Sequence, residues 1–103
     1  MRHRVNWTPL ARRDLIEIYA FIGADNIVAA DRILDRLQLS AARLADHPKL
    51  GKHRPDIAPG LRILVEYPYL LIYRIVSDPP KRSSDVIEIV RVIDGRRDLK
   101  VFF

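Results

Sequence analysis

Residues 61–76 read LRILVEYPYLLIYRIV, and how this run divides decides the fold. Leucine, isoleucine, valine and tyrosine dominate it, residue types that together suit a pleated, half-buried surface. Pro68 interrupts it, and because proline donates no backbone hydrogen bond it marks a turn rather than a strand centre. The run therefore splits into two strands, 61–67 and 69–76, folded back on each other. A third stretch of the same character, VIEIVRVI at 86–93, follows a polar, proline-containing connection at 77–85. That length suits a hairpin with a longer loop, so the three strands form a small, largely antiparallel sheet. In the last strand, alternation puts Ile87, Ile89 and Ile93 on one face with Arg91, and Val86, Val90 and Val92 on the other with Glu88. Neither face is polar, so both need a cover: helices on one, the chain's own loops or a partner on the other.

Working outward, PKLGKHRPDIAPG at 48–60 holds three prolines and two glycines and reads as an ordered loop without regular structure. Before it lie two amphipathic helices. Thr8-Pro9 starts the first, threonine capping an orphan N–H and proline occupying the first helical position, where its missing donor is not needed. Its apolar stripe runs 11, 15, 18, 22, with Arg12, Arg13, Asp14 and Glu17 covering much of the rest and Gly23 as a left-handed stop. The second opens at Asp25 or Asn26, carries the stripe Ala30, Ile33, Leu37, Ala41, Leu44, and ends at His47-Pro48. So short a connection forces an antiparallel helical hairpin. HRVNW at 3–7 alternates as a single edge or end strand. The fold class is α+β: an N-terminal strand, then a helical hairpin packed on a small sheet, in one domain over 1–103.

Composition narrows the chemistry. With 49% hydrophobic and 30% charged residues, the 103-residue chain can build a core. It has no cysteine, which excludes disulfides and thiolate metal sites. No apolar run reaches the roughly 18 residues of a membrane span, and the basic N-terminus lacks a signal-peptide core, so a cytoplasmic location is expected. The net charge is +5, and 14 of the 18 basic residues are arginines, whose planar forks suit carboxylates and phosphates. The excess lies in residues 47–103, with eleven basic and seven acidic residues against seven and six in 1–46.

No nucleophile elbow, phosphate loop or metal-ligand spacing is present, and the histidines at 3, 47 and 53 lie in unrelated contexts. No metal or cofactor is expected. The candidate constellation is cationic: His53 and Arg54 in the loop, Arg62, Arg74 and Arg91 on successive strands, then Arg96 and Arg97. Brought together, these would bind phosphates or an acidic protein surface. Each could equally be solvated or paired with Glu66, Glu88, Asp94 or Asp98. The C-terminal Phe102 and Phe103 either fold back over the sheet or dock on a partner.

GKHRPDIAPGLRILVEYPYLLIYRI followed by IEIVRVIDGRRDL resembles the ParE branch of the RelE/ParE toxin family. The likeness is carried by a Gly-x-x-Arg-Pro run leading to Gly60-Leu61-Arg62, the Tyr-x-x-x-Tyr-Arg strand at 69–74, and Arg97-Asp98 after the last strand. ARRDLIEIYAFI and AADRILDRL are similar to that branch's two helices. The resemblance implies a type II toxin with the order of elements derived above. It also implies a ParD-type antitoxin partner, in an assembly of two toxins and two antitoxins or larger.

Members similar to RelE cut messenger RNA on the ribosome; members similar to ParE inhibit DNA gyrase without an established catalytic site. For RNA cleavage the resemblance points to Arg62 and Arg97; the base would have to be His53 or Lys52, chosen by residue type alone, since nothing in the sequence marks either position. The RelE-like C-terminal tyrosine, however, stands here as Phe102 or Phe103, which cannot transfer a proton. For binding, the candidates are Arg62, Arg74, Arg91, Arg96, Arg97, Phe102 and Phe103. The expectation is therefore a gyrase-binding toxin, with a ribosome-dependent endonuclease and a non-toxic basic binding module as alternatives.

Overall fold

A computed structural model describes residues 3–76 and 85–103. Most of the connection expected at 77–85 lies outside the described residues. The elements run β1 (Arg4–Trp7), α1 (Pro9–Gly23), α2 (Ile27–Arg43), β2 (Lys52–His53), β3 (Arg62–Glu66), β4 (Tyr69–Val76), β5 (Val86–Asp94) and a short 3-10 turn (Leu99–Val101). The strands form one sheet in the order β1-β5-β4-β3-β2, with β1 parallel to β5 and the other neighbours antiparallel. The α+β architecture expected from the sequence is the one observed.

The local signals explain the helices. Thr8 Oγ1 accepts from the Ala11 N–H at 3.1 Å, and the same hydroxyl donates to the Val90 carbonyl at 3.1 Å, so the cap also ties α1 to the sheet. Such a cap contributes about 1 kcal/mol. Asn26 Oδ1 caps α2 through Ala29 N–H at 3.0 Å. Two expected stops shift. Gly23 has no left-handed backbone; Ala24 caps α1 in right-handed geometry, with its N–H on the Ala20 carbonyl. The second helix ends at Arg43, before His47-Pro48, and a run of tight turns follows.

Helix-side burial follows the stripes: Ala11, Leu37, Ala41 and Leu44 pack against Tyr69, Leu71, Tyr73, Ile87, Ile89 and Val92. The opposite face holds Leu61, Ile63, Ile72 and Ile93 under Ile57 and Ala58 of the 48–60 segment and Leu99 and Phe102 of the C-terminal turn. The chain itself therefore covers its second apolar face. Phe102 folds back onto it, while Phe103 stays 45% exposed.

Two features escaped the sequence reading. Lys52 and His53, inside the segment expected to be irregular, pair with Ile63 and Arg62 as a fifth, edge strand. And β5 carries a bulge: Ile72 pairs with Arg91 but Tyr73 with Ile89, leaving Val90 as an extra residue. The extra residue reverses the alternation, so Val92 replaces Ile93 on the helix side and Ile93 turns to the other face.

Candidate functional site

The cationic residues do not gather on one face. Arg62 sits at the β2 end of the sheet, where it is half-buried and donates from Nη1 to the Gly51 carbonyl at 2.8 Å. Beside it the buried Tyr73 hydroxyl donates to the Pro48 carbonyl at 2.7 Å and accepts from Gly51 N–H at 2.8 Å. Burial pushes the Tyr73 phenol pKa up. A Cβ at Gly51 would lie 2.6 Å from the Tyr73 ring and 2.9 Å from the Ile63 backbone, so only glycine fits. Lys52 and His53 are exposed on β2, and Arg54 forms a local two-bond pair with Asp56 at 3.0 and 2.8 Å. Arg74, on the far side of the sheet, pairs with Glu88 at 2.9 Å.

The remaining three arginines converge. Arg91 Nε and Nη2 donate to the two Asp14 oxygens at 2.8 and 2.9 Å, and Val92 N–H donates to Asp14 Oδ2 at 2.9 Å. The Asp14 side chain is only 7% exposed. Hydrogen bonding to Asp14 raises the Arg91 pKa. Sequence reasoning placed Asp14 on the solvated face of α1; the structure corrects this. The signal was present, because Asp14 lies three residues after Ala11 and four before Ile18, within the apolar stripe itself.

Phe102 then joins two of these cations: the Arg91 and Arg97 guanidiniums lie 5.0 and 4.9 Å from its ring centroid, in cation–π range. Arg96 forms a two-bond pair with Asp94 and also donates its backbone N–H there, which lowers the Asp94 pKa to about 2. Arg97 makes no side-chain hydrogen bond or ion pair among the described residues. Asp98, a candidate partner for Arg97, instead accepts from Lys100 N–H at 3.0 Å and caps the 3-10 turn.

These groups border a cleft of about 440 Å³ between α1 and the C-terminal turn. Its α1 wall is Glu17, Ile18 and Phe21; its floor includes Tyr69 and Val92; its far wall carries Arg96 and Arg97. Phe21 is 81% exposed at the mouth. Arg62 and Arg97 lie at different levels along β4: Arg62 pairs with Tyr73, in the middle of the strand, whereas Asp94, three residues before Arg97, pairs with Tyr69 at its start. Four residues of strand separate Tyr69 from Tyr73, about 13 Å. A second cavity, about 530 Å³, is lined by His3, His47, Leu50 and Ile75, and the buried Nδ1 of His3 has no hydrogen-bond partner among the described residues. No group of three acidic, histidine or cysteine residues among the described residues could hold a metal ion. No described helix is long and apolar enough to cross a membrane.

A helical hairpin on a five-stranded, mostly antiparallel sheet is the architecture of known toxin–antitoxin chains. One is a chain of the chromosomal ParDE system from P. aeruginosa (TM-score 0.69, 22% identity, 90% of this chain and 96% of that one). Another is a chain of the RelBE2 toxin–antitoxin complex from Mycobacterium tuberculosis (TM-score 0.64, 27% identity, 91% and 99%). In sequence, Toxin ParE3 of Caulobacter vibrioides is 32% identical over 87 residues, covering 84% of this chain and 80% of that protein. The family model for the ParE toxin of the type II toxin–antitoxin system parDE matches residues 5–99. The chain belongs to the ParE toxin family, as its motifs led us to expect.

Proposed function

We propose that this ParE-family toxin acts by binding DNA gyrase, without bond chemistry of its own, and is held inactive by a cognate ParD-type antitoxin. The observation that carries the reading is the ParE family match over residues 5–99. The site geometry supports it. Arg62 and Arg97, the cations an endonuclease would need around one phosphate, are held apart, Arg62 beside the middle of β4 and Arg97 beyond the partner of its first residue. The C-terminal aromatic beside Arg91 and Arg97 is a phenylalanine, which stacks but cannot donate a proton.

The antitoxin would supply a segment that orders on binding and buries apolar surface. Ile16, Ile27, Val28 and Leu39 of the helical hairpin are each more than half exposed and offer such surface. The expected complex holds two toxins and two antitoxins or more, in the cytoplasm where gyrase works, with residues 1–103 acting as a single domain. Purified toxin should inhibit supercoiling by gyrase at micromolar excess and leave ribosome-bound messages uncut. Codon-linked cuts in primer extension that vanish in Arg97→Ala, with supercoiling unaffected, would replace this reading with the endonuclease one. Co-expression with the neighbouring reading frame should yield a complex; a toxin that purifies alone would remove the antitoxin assignment.

A further inference from the structure

We infer that the cleft between α1 and the C-terminal turn receives a carboxylate-bearing segment of the target enzyme, with the Arg97 guanidinium as its donor fork. The inference rests on the gyrase reading and names the part of the toxin that makes the contact.

Asp14, Glu17, Asp94, Arg91, Arg96 and Arg97 all border the cleft. Asp14 is matched to Arg91, and Asp94 to Arg96. Among the described residues Arg97 is left with its donors unused, yet it is not loose, because its guanidinium rests on the Phe102 ring at 4.9 Å. That ring packs against the sheet's second apolar cluster and meets Arg91 at 5.0 Å, and Arg91 is fixed by two bonds to Asp14. A fork held in place loses less freedom when it binds, and one planar fork matches one carboxylate. Phe102, Arg91 and Asp14 are thus positioning residues for Arg97.

The surroundings choose among ligands. Ile18, Phe21 and Tyr69 offer apolar surface for a neighbouring side chain. Glu17, on the α1 wall, repels a second anion. A nucleic-acid backbone, which presents a phosphate at every step, would run against Glu17, whereas a peptide with a single carboxylate beside an apolar residue would not. The cleft volume of about 440 Å³ accommodates a few side chains rather than a folding helix. Of the exposed apolar residues of the hairpin, Phe21 belongs to the cleft, whereas Ile16, Ile27, Val28 and Leu39 do not line it and remain as surface for the antitoxin.

The test measures binding of the full-length toxin to gyrase, to the antitoxin and to naked duplex DNA. Arg97→Glu should weaken gyrase binding roughly 30-fold or more, the scale of a lost interfacial charge pair, and change antitoxin binding less than threefold. Phe102→Leu should weaken gyrase binding by more than its small loss of melting temperature explains once binding is corrected for folded fraction, and Phe102→Trp should restore binding. In the wild-type protein the Arg97 Nε–H resonance should shift or broaden when gyrase is added, a readout that needs no variant to fold.

Wild-type binding to gyrase with an undisturbed Arg97 signal, or with Arg97→Glu binding equally well, overturns the inference and leaves the gyrase reading intact. Loss of antitoxin or DNA binding in Arg97→Glu with gyrase binding preserved also overturns it, assigning the cleft to that other partner. A wild-type toxin that neither binds nor inhibits gyrase removes the gyrase reading and this inference together.

Discussion

Two regions beside β4, the corner where Tyr73 meets the turn before β2 and the cleft that includes Tyr69, use similar residues in opposite ways. At the Tyr73 corner, an aromatic ring and an arginine are consumed by the fold. The Tyr73 hydroxyl and Arg62 satisfy the Gly51 N–H, the Gly51 carbonyl and the Pro48 carbonyl, leaving the turn before β2 closed. In the cleft beside Tyr69, Phe102 joins two guanidiniums, of which Arg91 is neutralised by Asp14 and Arg97 has no ion-pair partner among the described residues. The difference teaches that counting cations along strands overstates a binding face. What matters is which cation is fixed in position and still has unused donors.

The comparison can be broken most forcefully at Gly51. Gly51→Ala puts a methyl group 2.6 Å from the Tyr73 ring and 2.9 Å from backbone, so it should cost about 3 kcal/mol in chemical denaturation. Per folded molecule, its partner binding should be unchanged. Asp14→Ala acts at the cleft and should also cost about 3 kcal/mol, because it strands a partly buried Arg91 and the Val92 N–H. Unlike Gly51→Ala, it should weaken partner binding in the protein that remains folded, since Arg91, freed from Asp14, no longer holds the Phe102 ring from its side.

A smaller effect concerns pH at the turn. The folded Asp94 pKa, about 2, lies below its ordinary value, so the stability this pairing contributes is complete above about pH 4 and is lost as pH falls toward 2. In Arg96→Ala, the Asp94 carboxyl followed by NMR should titrate back near the ordinary carboxylate range. Smallest of all, Arg74→Ala removes an exposed pair with Glu88 and should change stability by less than about 0.5 kcal/mol, measured by thermal melting.

Much of the fold was legible because it rests on local chemistry. Thr8-Pro9 caps as read, Asn26 is the one of the two expected starts that caps α2, the helix stripes are the buried faces, and Pro68 lies in the turn between β3 and β4. The bulge at Val90 was not legible: it lies in a run of β-branched residues broken only by Glu88 and Arg91, with no glycine or proline to mark it, and is fixed by pairing with β4. Nor was β2, whose two residues pair only because Gly51 and Tyr73 hold the preceding turn. Asp14 was legible from its place in the stripe but was read by residue type instead of by position. The convergence of Arg91, Arg97 and Phe102 depends on a chain reversal after Asp94, in which Gly95 N–H donates to the Pro68 carbonyl at 2.7 Å. Strand alternation alone gives no sign of that reversal.

The most direct measurement is gyrase supercoiling inhibited by wild-type toxin, Arg62→Ala and Arg97→Glu, each corrected for its folded fraction. Arg62→Ala should inhibit at the wild-type concentration, and Arg97→Glu should require roughly 30-fold more protein. Full inhibition by Arg97→Glu together with loss of inhibition in Arg62→Ala would contradict the account, moving the working end of the molecule to the β2 side of the sheet.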